Sequence, residues 1–273
     1  MRPAIFALCV FTVFASIATA SAQMQYPLSA AAAESGVVFV ADRNLPGVWK
    51  IEAGKLSLLF EGSKKYRTPL NAVRCLVLDR SGALLAGDTA TREVYRFDAD
   101  GKPVPLTAGG IGMPMSVAVN SKGELLVADL ELHRIWRVPA GGGKPQQVAE
   151  VQAPRGVAID GRDNLWVVSH GPNQIVRVTP DGQVETVVAG RPFLFPHNIA
   201  LAADETAYVT DGYSKAVWKV PPGGKPEKWV SGAPLVNPVG LAWRQQNLLV
   251  VDPHAKAVFE ISPAGKLSQV AAE

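Results

Sequence analysis

Residues 154–178 read PRGVAIDGRDNLWVVSHGPNQIVRV, three short apolar runs separated by turn chemistry. Val157 to Ile159, Leu165 to Val168 and Ile175 to Val178 are rich in β-branched side chains and too short for helices, while Asp160-Gly161 and Gly171-Pro172-Asn173 favour turns. The stretch therefore predicts antiparallel strands joined by tight connections. Its first half recurs as MPMSVAVNSKGELLVA (113–128) and NPVGLAWRQQNLLVV (237–251). Its second half is one of six segments that align without gaps: VADRNLPGVWKI, AGDTATREVYRF, VADLELHRIWRV, VVSHGPNQIVRV, VTDGYSKAVWKV and VVDPHAKAVFEI.

The anchoring positions of these segments are Asp42, Asp88, Asp129, Ser169, Asp211 and Asp252, spaced 46, 41, 40, 42 and 41 residues apart. Seven residues after each anchor stands Trp49, Tyr95, Trp136, Val176, Trp218 or Phe259. A glycine turn follows at Gly54, Gly101, Gly143, Gly182, Gly224 and Gly265, and then another apolar run. Each unit thus reads as four strands, a to d. A sheet of ~40 residues cannot bury both of its faces alone, so repeated units must stack, and a radial arrangement also protects their edges. The sequence predicts an all-β fold, a six-bladed β-propeller of four-stranded antiparallel blades. The 251 residues after Ala22 divide into about 42 per blade, and the 25 Gly and 21 Pro are too dispersed to leave a long helical period. The recurring aromatic is expected to pack blade on blade, and the recurring Asp to accept backbone N–H bonds where strand b ends. Blade one is expected to begin with its own strand a near Leu28 to Ala33, and blade six to end with its own strand d near Leu267 to Val270. The ring then closes by side-chain packing without exchanging a strand.

The first 22 residues are expected to lie outside this fold. Met1 and Arg2 make a positive start, Ala4 to Ala20 is almost wholly apolar, and Ala20-Ser21-Ala22 is the small-x-small pattern read by signal peptidase. Cleavage after Ala22 leaves one domain, residues 23–273, in the periplasm or outside the cell. No later stretch offers ~20 uninterrupted apolar residues, so no stable membrane insertion is expected. Cys75 is then the lone cysteine, read as a small buried apolar residue. The net charge of +3 gives no basic excess for nucleic acid.

Strand alternation sorts the connections onto two faces. Those entering strand a and those joining b to c share one face, which carries His133, His170, His197 and His254 together with Arg43, Asn44, Arg155, Asn198, Tyr213 and Lys256. The other face carries the c–d turns with Lys55, Lys102, Lys144, Lys225 and Lys266. A polar rim around a central channel is the default ligand site, here His197, Asn198, Arg155, Tyr213 and His170, with His197 nearest the channel.

The pattern P-x-G-V-A-V-D, G-x-L-x-V-A-D, H-R-I-x-R-V resembles the NHL repeat, most closely over Pro154 to Val178. Two enzyme families share the architecture. Gluconolactonase-like proteins of the SMP-30 type hold a divalent metal through an early Glu, the Asn of a P-N-G-I segment and the Asp of a D-G-L segment. The corresponding residues here are Pro196-His197-Asn198-Ile199 and Val239-Gly240-Leu241, and Tyr26 to Ala33 offers no Glu. The second family is the peptidyl-hydroxyglycine lyase. Leu130 to Ile135 resembles its histidine-bearing loop, Phe195 to Leu201 its P-H-x-[IL]-A-L segment, and Asp211-Gly212-Tyr213 its D-G-Y segment. That resemblance implies His133 and His197 as metal ligands, suited to zinc, and Tyr213 as the catalytic tyrosine. This chain lacks a second Pro-His segment, and Tyr213 shares a blade with His197.

There is no G-x-S-x-G, no H-E-x-x-H and no phosphate loop. The expectation is an exported monomeric binding module for a small molecule, glycan or protein, with no cofactor. The alternative is a metal-dependent hydrolase or lyase, lactonase-like or hydroxyglycine-lyase-like, using histidines on the same face.

Overall fold

The computed structural model describes residues 23–270 apart from residue 66. Residues 1–22, where the signal peptide is expected, lie outside the described residues. The rest forms six four-stranded antiparallel sheets, each built from four consecutive strands, arranged as a six-bladed β-propeller. Blade four shows the plan with strands Pro154–Ile159, Leu165–Ser169, Ile175–Val178 and Val184–Val188. Strand b is buried along its whole length, while strand d, the outermost, is mostly exposed. Register follows the sequence alignment, with Val157 opposite Val167 and Val167 opposite Val176.

The innermost strands are Pro27–Ala32, Val73–Leu78, Pro114–Val119, Pro154–Ile159, Pro196–Leu201 and Gly240–Arg244. Proline opens four of them, where the free edge of strand a needs no N–H donor. Between successive blades lie apolar clusters, and the recurring aromatic falls into them: Tyr95, Val176 and Phe259 are buried in three, and Trp49, Trp136 and Trp218 pack against the others. Blade one keeps its own strand a, paired with Val38–Asp42, and blade six ends with its own strand d, Leu267–Gln269. Closure is side-chain packing of Leu249, Val251 and Val258 on Ala30, Val38 and Val40. Arg244 Nη2 adds a hydrogen bond to Gly36 O at 3.1 Å across the seam.

The anchoring carboxylates tie each blade's loops together. Asp129 accepts from the backbone N–H of Gly112, Met113, Glu131 and Leu132 and from Trp136 Nε1. Asp42 and Asp252 each accept four backbone N–H groups in the same manner. Each carboxylate thus joins a b–c turn to the segment entering strand a, 15 to 17 residues upstream. Blade four replaces it with Ser169, whose hydroxyl donates to Gln152 O at 2.7 Å and accepts from Gly171 N. Because these carboxylates are filled by donors of the fold, they are not free to bind metal or ligand.

Candidate functional site

The residue after the opening position of the inner strand in blades one to five, and the residue just before Gly240 in blade six, form a ring where the central channel narrows. Its members are Leu28, Arg74, Met115, Arg155, His197 and Val239, one from each blade in order. On the b–c side the channel widens into a cavity of about 470 Å³, within the usual size of small-molecule sites. All six ring residues line it, joined by Tyr26, Arg43, Met113, Leu130 and Asn237. Directly below the ring, Cys75, Asn198 and Gly156 line the constriction.

Two guanidiniums dominate the electrostatics. Among the described residues, no ion pair involves Arg74 or Arg155. Burial holds both below the ordinary arginine pKa, and Arg155 further lowers Arg74, although a guanidinium stays charged throughout. His197 sits beside them and is pushed down to about 3, first by burial and then by Arg74, Arg155 and His170, with Asp211 opposing. It is therefore neutral at physiological pH. The positive charge of the mouth belongs to the arginines. Three buried polar atoms here have no partner: Arg155 Nε, His197 Nδ1 and Asn237 Oδ1.

Glycines allow this crowding. A Cβ on Gly212 would lie 2.0 Å from Asn237 Oδ1 and 3.2 Å from His197 Nε2, and one on Gly156 would lie 2.4 Å from Asn198 Cα. Side chains at either position would push blades four, five and six apart at the mouth.

The residues expected at the rim separate into three places. Arg155 and His197 line the cavity. Asn198 lies deeper, at the constriction, with its Oδ1 accepting from Ile199 N at 2.8 Å. His170 and Tyr213 do not line the cavity but pack on Phe195. Tyr213 stacks on it at 4.7 Å and 16°, and His170 meets it edge-on at 4.6 Å. Phe195 in turn touches His197 at 4.9 Å and lies 5.5 Å beneath the Arg155 guanidinium. His170 Nε2 lies 2.7 Å from Pro196 O, and burial lowers its pKa. This cluster braces the two cavity residues from behind.

His133 is exposed, at the fourth position after its anchor, with φ of 56°. Arg92, Lys215 and Lys256 occupy the same turn position with φ of 58°, 49° and 53°, and all are exposed. The repeat uses this position as a left-handed turn that sends its side chain outward. His254 is also exposed, edge-on to Tyr26 at 5.9 Å. Among the described residues, no group of three His, Cys, Asp or Glu side chains is placed to hold a metal ion.

Arg74 and Asn237 are the site residues that the repeat analysis missed. The signal for Arg74 was the position after the strand-opening proline, hidden in blade two because Val73 stands where other blades have Pro. Cys75 is buried, and its thiol is pushed up to about 12 by burial, so it stays protonated.

The family profile described as SMP-30/Gluconolactonase/LRE-like region matches residues 11–213, most of the chain. The chain belongs to this family. No curated protein matches the sequence significantly. Among solved structures, a gluconolactonase from Xanthomonas campestris is similar with TM-score 0.73 at 17% identity, over 91% of this chain and 88% of that one. A virginiamycin B lyase from Staphylococcus aureus is similar with TM-score 0.70 at 16% identity, over 90% and 84%. A chain of a nidogen/laminin complex is similar with TM-score 0.70 at 17% identity, over 82% and 89%. These likenesses show a shared fold. Within the SMP-30/gluconolactonase family frame, the ring of this chain offers two guanidiniums, a thioether, two aliphatic side chains and one imidazole. That donor set does not fit a hard divalent cation, which takes several oxygen ligands.

Proposed function

We propose that this member of the SMP-30/gluconolactonase family is an exported, monomeric, NHL-type binding propeller whose b–c mouth takes a small organic anion. One observation carries the reading: Arg74 and Arg155 flank Met115 at the head of a 470 Å³ cavity with no carboxylate partner among the described residues. A guanidinium matches a carboxylate through paired N–H donors, and partial burial strengthens the match. The signal-like residues 1–22 support export, and the P-R-G-V-A-I-D segment supports the NHL-type repeat.

The second reading is a hydrolase or lyase, and the named relatives include a gluconolactonase and a virginiamycin B lyase. Such a reaction needs a base near its working pH. His197, the imidazole in the ring, is pushed down to about 3 and is too weak to take a proton near neutrality. Zinc held by His133 and His197 would require the exposed turn of blade three and the mouth of blade five to converge. These observations favour binding over catalysis.

Thermal-shift measurements on the mature chain test the reading. Carboxylates are expected to raise the melting temperature of the wild type, their amide analogues to leave it unchanged, and Arg155→Gln to lose the response. A chain that ignores carboxylates but is stabilised by zinc, with the effect lost in His133→Ala and His197→Ala, would overturn it.

A further inference from the structure

The ring is cationic on one side and apolar on the other. Arg74, Arg155 and His197 come from blades two, four and five, whereas Val239 and Leu28 come from the adjacent blades six and one, which meet at the closure seam. Above Leu28 and Val239 the wall continues as Pro253 and Tyr26, with the Arg43 guanidinium over the Tyr26 ring at 5.8 Å where the cavity opens. Met115 fills the gap between the arginines, and its thioether is an apolar, adaptable surface. Unpartnered polar atoms are few: Arg155 Nε and His197 Nδ1 lie on the cationic side, and Asn237 Oδ1 lies at the border between blades five and six, two residues before Val239.

We infer that the ligand is an amphipathic carboxylate, with one anionic head on Arg74 and Arg155 and an apolar body lying over Leu28, Val239 and Pro253. This rests on the anion site proposed above and narrows it. A polyhydroxylated sugar acid leaves most of its hydroxyls against aliphatic carbon, which costs affinity for every unmatched group. An apolar body of the same length gains affinity from the area it covers. The charge that a family metal would supply is here carried by side chains, so the head needs no cation of its own.

Calorimetric titration of the mature chain with butanoate, hexanoate, octanoate, gluconate and hexanol tests the inference. Affinity is expected to rise about three- to fourfold per added methylene. Hexanoate is expected to bind at least tenfold more tightly than gluconate, which has the same number of carbons, and hexanol to be far weaker than hexanoate. Val239→Asn is expected to flatten the dependence on chain length, and Arg155→Gln to weaken every acid alike. Gluconate matching hexanoate, or acids binding with no dependence on length, would overturn the amphipathic ligand and leave the anion site standing. No binding by any acid, or hexanol equal to hexanoate, would overturn the anion site and this inference with it.

Discussion

The two ends of the central channel are built by the same six strands, yet they are chemically unlike. The b–c end encloses about 470 Å³ and presents Arg74, Arg155, His197 and Asn237. The a–b end encloses about 460 Å³ and presents mainly the Ala, Val, Leu and Ile residues that finish each inner strand, with Trp243 on one wall. Its polar side chains are tied by hydrogen bonds or an ion pair. Asp79 pairs with Arg96 at 3.0 Å, Arg80 Nε donates to Asn120 O, and Trp243 Nε1 donates to Leu201 O. Size and symmetry therefore do not make a site. In the reading proposed above, guanidiniums with neither an ion pair nor a hydrogen bond to the protein among the described residues do, and Arg74 and Arg155 sit at the end where the loops from separate blades converge.

The same contrast runs through the loops. Carboxylates at the a–b end make local turns: Asp79 accepts from residues two and four positions away, as does Asp160. Carboxylates at the b–c end join segments 15 to 17 residues apart. The largest expected effect follows. Asp129→Ala strands five donors, at ~1 to 3 kcal/mol each when buried, and should destabilise the fold by more than about 3 kcal/mol. Asp79→Ala should lose less, about 1 to 2 kcal/mol, since the turn donors it leaves at Ser81 reach water, while Arg96 loses its ion-pair partner. Chemical denaturation of both variants checks this, and equal losses would break the contrast between the two ends.

The second effect concerns affinity. Arg74→Gln and Arg155→Gln should each weaken carboxylate binding by about 2 kcal/mol or more, roughly thirtyfold, while Arg80→Gln at the opposite end should leave it unchanged. Competition titrations with all three proteins decide the matter.

A third effect is one of pH. The unfolded chain protonates His197 near 6.5 and the folded chain only near 3, so the unfolded state binds more protons in that window and stability falls as pH drops through it. Above pH 6.5 the contribution is fully present. Denaturation curves from pH 7 to 4 should show His197→Gln losing stability less steeply than the wild type, by at most about 1.4 kcal/mol per pH unit. Parallel curves would remove His197 from the buried mouth.

The smallest effect belongs to His133. Its side chain is exposed at a left-handed turn, so His133→Ala should change stability by less than about 1 kcal/mol and leave carboxylate binding intact.

The fold was legible because six copies of one pattern overdetermine it. The anchor and the aromatic seven residues later identify strands b and c even in blade four, where Ser169 and Val176 replace both. The turn role of the Asp residues was legible for the same reason. The site was only half legible. His197 and Arg155 could be placed at the mouth because strand alternation puts the segments entering strand a on that face. Arg74 was not recognised there, because Val73 stands where the other blades have Pro. His170 and Tyr213 share the face but pack on Phe195, and Asn198 sinks to the constriction. Such placements depend on which neighbour fills the space, and a linear repeat does not encode that.

In the proposed reading, Arg74 and Arg155, and no metal ion, hold the anion at the b–c mouth. Calorimetric titration of the chelator-treated mature chain with hexanoate tests it most directly. One site per chain is expected, with the same affinity before and after chelation and after adding back calcium or zinc. Binding that vanishes on chelation and returns with either ion would contradict it.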